Sequence, residues 1–117
     1  MSDLPTNPLP PCGVPTNCTR ETRPFDRDPE VLFAAALEAV RAVRGLTIGS
    51  AKSVEQDADG LGFHAVFSTG LFTDDLHLRV EPHQNGAVLH VRSASRVGLG
   101  DLGVNRRRVR ALFDALT

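Results

Sequence analysis

Apolar residues recur in this chain with two periods, one helical and one of strict alternation, and together they set out its elements. Leu32, Ala36, Val40 and Val43 repeat at three- to four-residue intervals, the spacing of one helix face. Asp28-Pro29-Glu30 precedes them. Asp28 can accept from unpaired N–H groups, Pro29 suits the first helical position and Glu30 complements the positive end. With Gly45 as the stop, the pattern predicts a helix over 29–44. A weak strand is expected at Leu46-Thr-Ile48, and Asp57-Ala-Asp-Gly60 reads as a turn. Leu61, Phe63, Ala65 and Phe67 then alternate with Gly62, His64, Val66 and Ser68. Leu76, Leu78 and Val80 alternate with Asp75, His77 and Arg79, and Ala87, Leu89 and Val91 with Val88, His90 and Arg92. Each run has the period of a half-buried strand, and Pro82-His-Gln-Asn-Gly86 closes a hairpin between the last two. A final helix carries Val109, Leu112, Phe113 and Leu116 on one face, with Arg106, Arg107, Arg110 and Asp114 mostly on the other.

These elements predict an α+β fold: helix, four-stranded antiparallel sheet, helix. Both helices are expected on the Phe63/Phe67 face, because each has a single apolar stripe to bury. Residues 1–24 hold six of the eight prolines and read as an extended Pro-rich arm. Residues 25–117 then form a single α+β domain, and 117 residues in all is the size of one domain with a modest core.

Charge changes this picture by its distribution. The formal net charge of −1 excludes a globally basic nucleic-acid binder and an acidic disordered tail. No run of 18 apolar residues exists and the start lacks a signal-peptide pattern, so no membrane span is expected and the default location is cytoplasmic. Yet Arg92 to Arg110 contains six arginines and one acid, a net of +5, against −5 for residues 1–91. The near-zero total is a cancellation.

The candidate chemistry clusters in that basic segment. Gly98-Leu-Gly-Asp-Leu-Gly103 matches the dinucleotide pattern G-x-G-x-x-G, but the chain as given ends at Thr117, with no second parallel strand or distant acid to complete the motif. No cofactor is therefore expected. A glycine turn able to hold an anion remains, against a simpler role in which Asp101 caps the helix and Gly98 and Gly103 permit a tight crossover. Arg92, Ser93, Ser95 and Arg96 supply bidentate and adaptable donors. The alternative for Arg92 is an internal clamp to Asp75 across the strands. Turns at 69–72 and 82–85 would align His64, His77 and His90 in a row, a weak metal candidate in which the outer two stand about 10 Å apart. Cys12 and Cys18, spaced C-x5-C, are either a disulfide or two reduced thiols. Ser93 or Ser95 with His90 and Asp75 offers the residue types of a nucleophilic triad. His90 and Ser93 fall on opposite strand faces, however, which argues against catalysis.

The stretch Arg92-Ser-Ala-Ser-Arg-Val-Gly98 with Asp101-Leu-Gly-Val-Asn105-Arg-Arg-Arg-Val109 resembles the signature of the bacterial domain-of-unknown-function family 1499. Cys12, Asn17-Cys18, Pro24-Phe25, Asp28-Pro29, His64-Ala65 and Asp74-Asp75 resemble that family's landmarks in the same order, so the likeness covers about residues 12–117. It implies a fold unit and a candidate surface rather than a reaction, and it raises envelope association as the alternative location. The expected function is a non-catalytic binding module in which Arg92, Ser93, Ser95, Arg96, Asn105 and Arg106 grip an anionic small molecule or an acidic protein surface. Asp74, Asp75 and Asp101 would hold the structure. The alternatives are an interaction protein whose Arg–Asp network is purely internal, and an enzyme of unknown class.

Overall fold

The computed structural model describes residues 4–42, 51–58, 61–68, 73–97 and 100–117. After a 3-10 turn at Pro15–Asn17 come β1 (Cys18–Phe25), α1 (Pro29–Ala42), β2 (Ala51–Gln56), β3 (Gly62–Ser68), β4 (Thr73–His83), β5 (Gly86–Ser95) and α2 (Val104–Leu116). The strands form one antiparallel sheet in the order β1-β5-β4-β3-β2. The α+β class is as expected, but among the described residues the sheet has five strands rather than four. β1 was not predicted because Cys-Thr-Arg-Glu-Thr-Arg-Pro-Phe carries no apolar alternation. Backbone pairing to β5, from Cys18↔Ala94 to Phe25↔Ala87, holds it in place. Pro24 is tolerated there because an edge strand has donors that need no partner. Gly45 and the strand expected at Leu46–Ile48 lie outside the described residues.

α1 begins as its sequence predicts, with the Glu30 N–H donating to Asp28 Oδ2 at 3.0 Å. Its Leu32, Ala36 and Val40 are fully buried. They meet alternate residues of the sheet: Phe63, Ala65 and Phe67 of β3, Leu76, Leu78 and Val80 of β4, and Ala87, Leu89 and Val91 of β5. Val109, Leu112, Phe113 and Leu116 of α2 complete the same core. Both helices therefore cover one face of the sheet, where each buries its single apolar stripe.

The β4–β5 hairpin differs from expectation in a way that moves functional residues. Its turn has two residues, Gln84 and Asn85, with Gln84 at φ 52, and His83 pairs with Gly86. A Cβ on Gly86 would stand 2.2 Å from the Phe25 carbonyl oxygen, so the chain can pass there only with glycine. The shorter turn slides β5 two residues relative to the four-residue turn, which preserves faces and changes rows. His64 pairs with His77 as expected, but His77 faces Arg92 and His90 faces Arg79.

The arm is tied to the sheet face away from the helices. Arg20 and Arg92 are directly opposite across β1 and β5, an unfavourable like-charge pair. Backbone carbonyls of the arm relieve it: Arg20 donates to Leu9 O at 3.1 Å and Asn7 O at 2.7 Å, and Arg92 to Pro10 O at 2.9 Å. Asn7 Nδ2 donates to Glu21 O, and a Cys12–Cys18 disulfide closes the strap. Cross-linking residues six apart in sequence removes unfolded-chain entropy worth about 2 kcal/mol. Cys12→Ser/Cys18→Ser should lower the unfolding free energy by that amount, read as a lower urea midpoint; an unchanged midpoint would mean that the carbonyl contacts alone hold the arm.

Candidate functional site

Strand alternation divides the Arg92-Ser-Ala-Ser-Arg96 segment between the two faces of the sheet. Ser93 and Ser95 point toward α2, in register with Leu76 and Asp74, while Arg92 and Ala94 point away. On the helix side, Phe67, Asp74 and Ser95 form one cross-strand row, and α2 lays Asn105 and Arg108 over it. Arg108 has no exposed surface and Asp74 almost none. The guanidinium lies 3.0 Å from Asp74 Oδ2. It donates from Nη1 to Asn105 Oδ1 at 3.0 Å and Ser93 Oγ at 3.2 Å. It also sits 4.4 Å over the Phe67 ring, a favourable cation–π position. Burial pushes the Arg108 pKa down and the Asp74 charge opposes that. Among the described residues, Asp74 Oδ1 and Arg108 Nε have no hydrogen-bond partner.

Asn105 joins this pair to the loop and the arm. Its Oδ1 accepts from Ser93 Oγ at 2.6 Å. Its Nδ2 donates to Asp101 Oδ2 at 2.6 Å, Ser95 Oγ at 3.0 Å and Asn17 O at 3.1 Å. Asp101 in turn caps α2: Oδ1 accepts from the Gly103 N–H at 2.8 Å and Oδ2 from the Asn105 N–H at 3.1 Å. Burial alone would raise the Asp101 pKa, but these donors outweigh it and hold the carboxyl below its ordinary value. Donors that a bound anion could have used are thus taken by Asp101. Gly103, at φ 79, provides the left-handed entry to the helix, and Gly98 lies outside the described residues.

The opposite face carries a second cluster. Arg96 grips Asp75 through Nε at 2.9 Å and Nη2 at 3.0 Å, and His64 Nε2 lies 2.6 Å from Asp75 Oδ1. The Arg96 hydrogen bonds, with a smaller contribution from His64, hold the Asp75 carboxyl below its ordinary value despite partial burial. The internal clamp expected of Arg92 is therefore made by Arg96, because the two-residue turn sets Asp75 opposite Ala94. His64 stacks on His77 with ring centroids 4.3 Å apart. His90 is fully buried, with Nδ1 2.7 Å from Thr22 Oγ1 and Nε2 3.3 Å from Glu81 Oε1. Burial lowers the pKa of both His77 and His90. The expected row of three histidines is corrected to His64–His77–Arg92, and no metal-binding group of three or more occurs among the described residues. Nor does the structure assemble a triad. Asp75 and His90 are on one face in different rows, and Ser93 and Ser95 are on the other, bonded to Asn105.

Arg96 and Arg107 also reach the surface, but Arg106 and Arg110 are the arginines of the basic segment that the fold leaves unpaired there. They lie one helical turn apart and exposed, and among the described residues neither makes a hydrogen bond or ion pair. With Arg107, which donates to Leu102 O at 2.9 Å, they border an open depression of about 430 Å³ whose other walls are Leu102 and Gly103. A second hollow, of about 390 Å³, runs from Arg106 to Thr16 and Thr19. Sequence reasoning missed Arg108 as a buried group. Its signal was its position within the stripe 105, 108, 109, 112, 113 and 116 that α2 buries.

Residues 4–116 match the family described as "Protein of unknown function (DUF1499)". The crystal structure of protein CV1439 from Chromobacterium violaceum aligns at 12% identity over 82% of this chain and 94% of its own, with a TM-score of 0.52. That likeness is one of fold alone. Ara h 8.0201 aligns at 12% identity over 85% of this chain and 93% of its own, with a TM-score of 0.46. No curated protein matches the chain.

Two experiments probe the site. Asp74→Ala should cost about 3–5 kcal/mol, because it leaves the Arg108 charge buried without a counter-ion, and adding Arg108→Met should recover most of that loss in urea titrations. His77 and His90 titrate below the ordinary 6.5 in the folded chain, and Asp75 and Asp101 below 3.8. In each case the folded protein binds its proton less tightly than the unfolded chain. The contribution is present above the unfolded pKa and is lost as pH falls through the folded one. The melting temperature should thus drop below pH 6.5 and again below pH 3.8, and His77→Gln/His90→Gln should flatten the first fall.

Proposed function

Because the chain belongs to this family of proteins of unknown function, whose description names no activity, we propose a function from the side chains themselves: a non-catalytic binding module that meets an anionic partner through the exposed face of α2. One observation carries this reading. Arg92, Arg96 and Arg108 end on Pro10 O, Asp75 and Asp74, whereas Arg106 and Arg110 project to solvent beside Arg107 around one depression. The grip expected of the whole 92–106 loop contracts to its helical end. Ser93, Ser95 and Asn105 serve as the rigid support of that end rather than as ligands. An extended anionic surface suits these arginines better than a single small anion, because the capping carboxylate of Asp101 occupies the helix N-terminus.

A purely internal role for the network is the alternative, favoured by the complete use of Arg92, Arg96 and Asn105 within the fold. The Cys12–Cys18 disulfide supports an oxidising compartment, and so the envelope rather than the cytoplasm. No helix among the described residues is long and apolar enough to cross a membrane.

A polyglutamate peptide is a suitable probe of the surface. It should bind the full chain at low ionic strength, weaken as salt is added, and lose on the order of ten-fold in affinity in Arg106→Gln/Arg110→Gln. Identical binding by that variant, or none by the wild type, would leave the network with its internal role alone.

A further inference from the structure

We propose that the anionic partner is the surface of a lipid bilayer, which Leu102 enters while Arg106, Arg107 and Arg110 meet the headgroups; this rests on the cationic-face reading above. Leu102 is 92% exposed and has φ 56. A leucine in the left-handed region is uncommon, and a strained residue persists only where its surroundings hold it. They do so here. The Asp101 N–H donates to Thr16 O at 3.0 Å and the Val104 N–H to Asp101 O at 3.1 Å. Asp101 Oδ1 accepts from the Gly103 N–H, and Arg107 Nη1 donates to Leu102 O. The turn is fastened on both sides of residue 102, and its aliphatic side chain points into solvent and contributes nothing to the core.

The surroundings specify the partner. Leu102 is the ridge between two hollows, one walled by Arg106, Arg107 and Arg110 and the other reaching Thr16 and Thr19. The acid adjacent in sequence, Asp101, turns its carboxylate inward onto Gly103 and Asn105, and Asp114 lies one turn beyond Arg110 along α2. A free phosphate would use the arginines and ignore the leucine. A protein partner would need a cavity shaped to receive one protruding side chain. A bilayer offers anionic headgroups with apolar depth beneath them, and arginine stems can lie along that boundary with their charges in water. One leucine and three arginines make a weak, reversible contact that depends on anionic lipid.

Co-sedimentation of the full chain with vesicles tests this. Asparagine adopts the left-handed conformation readily, so Leu102→Asn removes the apolar group and should keep the melting temperature. The chain should sediment with vesicles of equimolar phosphatidylglycerol and phosphatidylcholine and not with phosphatidylcholine alone. Leu102→Asn should weaken that binding about ten-fold and Arg110→Gln about five-fold. Equal binding by Leu102→Asn and wild type overturns the proposal. Failure to bind the vesicles while polyglutamate still binds overturns the lipid assignment and leaves the cationic-face reading standing. Failure with both probes overturns the two together.

Discussion

The Arg108 guanidinium has no contact with solvent, and the seating of α2 on the sheet follows from how that charge is met. A cation in a core is tolerated only if a counter-charge, acceptors and polarisable surface surround it. Each comes from a different strand: Asp74 from β4, Ser93 from β5 and the Phe67 ring from β3. α2 can slide along or rotate about the sheet only by breaking several of these contacts at once. The apolar stripe of Val109, Leu112, Phe113 and Leu116 provides the bulk of the burial, but hydrophobic contact is non-directional. The polar end sets the register of the helix.

Asn105 extends that constraint outward. One side chain bonds Ser93 and Ser95 of β5, Asp101 of the loop and the Asn17 carbonyl beside β1, so sheet, helix, loop and arm share a single connection. On the far face, the Arg20 and Arg92 guanidiniums, opposed across two strands, draw the arm's carbonyls over them. A like-charge pair that would weaken the sheet by itself thereby becomes the anchor of the strap.

Much of the fold was legible in the alternation of Phe63 to Phe67 and Leu76 to Val80, which specifies faces, and in Asp28-Pro29, which specifies where a helix begins. β1 was not legible, because an edge strand held by backbone pairing leaves no apolar period in Cys18–Phe25. The β4–β5 register was misread for a different reason. Pro82 suggested a long turn, whereas Gln84 takes a positive φ and closes the hairpin in two residues. That shift of two exchanged the partners of His77 and Asp75 while leaving every side chain on its predicted face. The Arg, Ser and Asn signature was legible as a cluster, but not its division between faces, because pairing of each strand residue depends on that turn.

The division also accounts for the charge. Within the +5 segment, Arg108 and Arg96 are matched one to one by Asp74 and Asp75, Arg92 is held by a carbonyl, and Asp101 is consumed as a cap. Among the described residues, what faces solvent without a carboxylate partner is the cationic side of α2. The turn leading into it needs a left-handed residue before Gly103, a position that glycine or asparagine fills at less cost than leucine. Neither the cap nor the core uses the side chain of Leu102, so the demands of the fold do not account for the residue found there. The proposed contact of Leu102 with a bilayer, among the arginines that the fold leaves unspent, would account for it.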